Sequence, residues 1–152
     1  MPTLSGHDLS AASVWTYITQ KREAAAAAQR SHAAALKAER EKLHAAFLER
    51  ELAPDWKERV AAMVQRAVDA GEKEVLLFHF PSDWLPDQGR AITNGDSDWH
   101  EKLEGFARRA YDAYAKELAP KGFHLKAQII DWPGGMPGDV GFILRWPTPE
   151  EA

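Results

Sequence analysis

Residues 123–146 read FHLKAQIIDWPGGMPGDVGFILRW, and the fold turns on them. Phe123, Leu125, Ala127 and Ile129 alternate with His124, Lys126, Gln128 and Ile130. After Trp132 to Gly138, the residues Val140, Phe142, Leu144 and Trp146 alternate with Gly141, Ile143 and Arg145. Successive side chains of a strand point to opposite faces, so this pattern predicts two strands, each with one apolar and one largely polar face. The segment between them is too long for a two-residue turn and predicts a longer hairpin loop. Gly134-Gly135 is not a phosphate loop, because no Lys-Ser/Thr follows and a strand comes next.

Three more elements stand before the hairpin. Residues 98–119 carry Trp99, Leu103, Phe106, Ala110 and Tyr114 at helical spacing, with Asp98 and Glu101 spaced as a capping box and Pro120 with Gly122 ending the run. Asn94-Gly-Asp-Ser-Asp98 has the alternation of a calcium loop, but Trp99 and the missing twelfth-position Glu favour helix capping instead. Val75 to Phe80 is a short apolar run stopped by Pro81 and reads as a strand buried on both faces, with His79 buried or half-buried within it. Trp56, Val60, Met63, Val64 and Ala67 form the apolar face of a helix, with Pro54 suited to its first turn and Gly71 to its end.

From about Ser10 to Leu52 the chain has no Gly or Pro and is rich in Ala, Glu, Lys, Arg and Gln. This predicts a helix of about 40 residues, roughly 60 Å long. At 100° per residue Val14, Ile18, Leu36, Leu43 and Phe47 share one narrow sector with Ala25 and His32. A helix this long exceeds the ~30 Å of a small domain, so its stripe is expected to pack against a second copy.

The expected architecture is therefore α+β: a long N-terminal helix and a second helix, then β-α-β-β forming a small three-stranded mixed sheet covered on one face by helices. Residues 1–52 form an alanine-rich helical arm and 53–152 a compact domain. A right-handed crossover makes the first two strands run in the same direction, with the third opposed to the second. Both long loops, 81–96 and 131–139, then fall at one end of the sheet, the end where open α/β sheets favour ligands. A 16-residue connection is unusually long for a compact domain. Asp83, Arg90, Asn94, Asp131 and Asp139 are the candidate ligand contacts there, with Arg90 the anion contact.

Composition narrows the classes of function. The chain has 152 residues, 45% of them hydrophobic, enough for a core, and no cysteine, which excludes disulfides and thiolate metal sites and fits a reducing compartment. No basic-then-apolar leader or membrane-length apolar run is present, so a cytoplasmic location is expected. Residues 1–70 hold ten Lys/Arg against nine Asp/Glu, and residues 71–152 nine against fourteen. An acidic domain with scattered cations argues against nucleic acid as the main partner. No GxSxG, HExxH or Walker sequence occurs, and no metal or cofactor is assigned. The expectation is a non-catalytic assembly or adaptor protein that self-associates as a coiled coil through its long helix, with a further protein partner allowed. The alternative is a small enzyme or ligand-binding protein with an acidic, divalent-metal-dependent site at the two loops.

Overall fold

A computed structural model describes residues 3–150. The chain packs as two units, one ending at Ala45 and the other beginning at Ala46.

The long helix α1 spans Ala11–Glu49, 39 residues, and so rises about 58 Å at 1.5 Å per residue. Ser10 and Ser13 start it with a reciprocal cap: Ser13 N–H donates to Ser10 Oγ at 3.0 Å and Ser10 N–H to Ser13 Oγ at 2.9 Å. It stops three residues short of the expected Leu52. Carbonyls at and just past its end are taken by a side chain from far along the sequence: Arg109 Nη1 donates to Leu48 O at 2.9 Å and to Arg50 O at 2.8 Å.

The unit from Ala46 onward holds α2 (Trp56–Asp69), β1 (Glu74–Pro81), the short α3 (Arg90–Thr93), α4 (Gly105–Glu117), β2 (His124–Ile129) and β3 (Asp139–Arg145). The strand order is β1-β3-β2. β1 and β2 run in the same direction, as the crossover argument requires. They never pair, because β3 lies between them and is antiparallel to both, so the sheet is wholly antiparallel rather than mixed.

The central position of β3 also decides which strand is doubly buried. Gly141, Phe142, Ile143 and Leu144 are all buried in β3. β1 is an edge strand. A bulge between Leu76 and Phe78 interrupts its register, and Leu76 and His79 are exposed on the outer face. The expected burial of His79 is thereby corrected: it is exposed, opposite Gly141 on the sheet face away from Phe142.

The core occupies the other face. Phe80, Val140, Phe142 and Leu144 are fully buried there, with Leu85, Leu103 and Ala107 against them. Phe78 packs on Phe142 at 4.7 Å and on Phe106 at 5.0 Å between ring centroids. Phe47, expected on an oligomer stripe, is half-buried and packs against this core, 5.1 Å from the Phe80 ring and 5.0 Å from Trp84. Its angular position on α1 is as expected, but the last turn of α1 is part of the compact unit.

The helix expected over residues 98–119 is broken. A 3-10 turn covers Trp99–Lys102, Leu103 and Glu104 are extended, and α4 begins at Gly105 with φ +58°. A Cβ on Gly105 would sit 2.5 Å from Leu48 Cα, so only glycine lets the end of α1 approach here. Asp98 makes no capping hydrogen bond.

Candidate functional site

The two loops meet at the end of the sheet where β1 finishes and β3 begins. Ser82 N–H donates to Gly138 O at 3.0 Å, and Ser82 Oγ lies 3.4 Å from Pro137 O. The 81–96 loop is more regular than its composition suggests, with a 3-10 turn at Ser82–Trp84 followed by α3. Leu85 is buried, and Trp84 and Ile92 pack against the core, pinning the loop as expected. The Asp87 carboxylate fixes its tip by accepting from Gly89 N–H and Ala91 N–H, both at 3.0 Å.

Of the five candidate contacts, two come together. Asp131 Oδ1 accepts from the Asp139 N–H at 2.6 Å, and Asp139 Oδ2 lies 2.7 Å from His79 Nδ1. Asp131 is packed so closely on Gly138 that a Cβ there would collide with its carboxylate. Asp83, Arg90 and Asn94 are exposed, and among the described residues none of their side chains forms a hydrogen bond or ion pair. Arg90 therefore locks neither Asp87 nor Asp96.

His79 is the member that sequence reading missed, because its pairing depends on register. Asp139 lies opposite Pro81 and His79 opposite Gly141, which makes His79 and Asp139 diagonal neighbours on the outer face. The Asp139 carboxylate holds the imidazole through Nδ1. Among the described residues no hydroxyl is hydrogen-bonded to it, and no group of three or more His, Asp or Glu is placed to hold a metal ion.

The second candidate surface is α1. None of its residues is buried, and Trp15, Leu36 and Leu43 are 62%, 47% and 52% exposed. Val14 and Ile18, at the start of the expected stripe, are half-buried. No helix among the described residues is long and apolar enough to cross a membrane.

Comparison with family models, with curated proteins and with solved structures gives no match, so the residues themselves carry the functional reading.

Proposed function

We propose that this chain is a non-catalytic assembly protein that self-associates through α1. One observation carries the reading: over its 39 residues α1 has no fully buried residue, and Leu36 and Leu43 stand exposed in one sector with the half-buried Val14 and Ile18. Helices in proteins draw most of their stability from packing an apolar face, and burying each leucine adds about 1.5–3 kcal/mol. Alanines between these residues allow close approach of a second helix. The six Lys/Arg and four Glu of α1 are mixed along its length, which suits a second copy of the same helix better than a strongly charged partner.

The test is the solution mass by analytical ultracentrifugation across a hundredfold range of concentration. The unmodified chain associates, and Leu36→Lys with Leu43→Lys returns it to a monomer by placing charges in the contact. A monomeric mass for the unmodified chain at every concentration refutes the proposal.

A further inference from the structure

The apolar face of α2 is incompletely packed. Only Ala67 is buried on this helix, whereas Trp56, Val60 and Met63 are half-buried. They border a cavity of about 270 Å³ between α2, α4 and the sheet, whose floor includes Phe78, Leu125 and Phe142. An apolar cavity of about 150 Å³ takes benzene, so this one has room for about ten non-hydrogen atoms.

Among the described residues the charged side chains that line the cavity are both basic. Its lining is otherwise apolar or aromatic, but Arg50 and Arg59 both contribute, and no carboxylate does. The one hydroxyl, that of Tyr114, is already donated to Phe123 O at 3.0 Å. Both arginines are exposed, so the cavity meets solvent beside them. Arg59 is engaged by Asp55 at 3.0 Å. Arg50 has no ion pair among the described residues, and its guanidinium lies over the Phe106 ring, 4.3 Å from the centroid.

We propose that this cavity binds a small apolar carboxylate of about ten non-hydrogen atoms, its hydrocarbon against Phe78 and Met63 and its carboxylate on Arg50. A cation is disfavoured by Arg50, and a neutral molecule forgoes the charge-assisted hydrogen bonds that a guanidinium offers a carboxylate. The site lies within the unit from Ala46 onward and is independent of self-association.

Calorimetric titration of the full chain with octanoate, octan-1-ol and octylammonium tests it. Octanoate binds saturably at one site per chain, at least about tenfold tighter than the alcohol, with octylammonium weakest. Arg50→Gln brings octanoate down to the level of the alcohol, and Ala110→Phe, which fills the cavity, abolishes binding of both while circular dichroism verifies the fold. Octylammonium binding as well as octanoate, no saturable octanoate binding at about 1 mM, or octanoate affinity unchanged in Arg50→Gln each overturns the proposal. Should Ala110→Phe fail to fold, the ligand series on the unmodified chain and the Arg50 variant decide the matter.

Discussion

Gly105→Ala should destabilise the compact unit by about 2–5 kcal/mol, and the figure follows from two separable terms. The first is conformational. Gly105 has φ +58°, and holding alanine in the left-handed region costs about 1–2 kcal/mol. The second is steric. The new methyl would lie 2.5 Å from Leu48 Cα, 3.0 Å from Leu48 O and 3.1 Å from Leu48 C, all backbone atoms that cannot rotate aside. Relief requires the last turn of α1 to move, which strains Phe47 against Phe80 and the two Arg109 hydrogen bonds; overpacking of this kind costs about 1–3 kcal/mol. Gly134→Ala isolates the first term, since Gly134 also has a left-handed φ, +61°, but a methyl added there would meet nothing within 4 Å. Urea unfolding of both variants gives the steric term by difference. If Gly105→Ala is no more destabilising than Gly134→Ala, the close approach of Leu48 is refuted.

Other perturbations probe neighbouring contacts. Arg109→Met removes the donors to Leu48 O and Arg50 O and should cost about 2 kcal/mol in urea unfolding, with Arg109→Lys recovering less than half because it lacks the planar fork; a loss below about 0.5 kcal/mol contradicts the clamp. Burial, then the neighbouring Tyr114 and Asp112, raise the pKa of Tyr111 above its ordinary 10.0. The native state thus holds this proton more tightly than the unfolded chain, so the contribution is complete below pH 10 and is lost as pH rises through the folded value. Thermal melts above pH 10 should fall less steeply for Tyr111→Phe, and an equal slope would dismiss the effect. The hydrogen bond from Lys57, at 2.7 Å, and then its charge hold the Glu117 carboxyl below its ordinary 4.5. Lys57→Met should raise the Glu117 titration midpoint seen by NMR and leave stability nearly unchanged, because the pair is exposed; an unmoved midpoint rules the pairing out.

The hairpin was legible in the sequence because its alternation is local, and Val140, Phe142 and Leu144 occupy the core face it predicts. What escaped was set by distant parts of the chain. Trp99, Leu103, Phe106 and Ala110 keep helical spacing across the break before α4, so no local sign reveals that Gly105 must accommodate Leu48. The apolar run of β1 conceals a bulge, and its exposed side is explained only by β3 taking the central place. At the sheet end, the meeting of Asp131 and Asp139 could be foreseen from strand ends, whereas the His79–Asp139 pair needs cross-strand register. The cavity beside α2 is a shortfall of packing, and a regular apolar face such as Trp56, Val60 and Met63 cannot announce one.

The place of β3 has a consequence for how the protein is made. Chains emerge from the ribosome N-terminus first, at about 5–20 residues per second, and β3 is the last of the three strands to appear. Until it does, neither ladder of the sheet exists, and Phe78 and Phe80 have no Phe142 to meet. The compact unit must therefore wait, largely unfolded, for its final seven-residue strand. Premature termination before Asp139 would not trim the sheet by one edge; it would leave two ribbons with no partner in common, a nascent chain suited to chaperone capture rather than to folding.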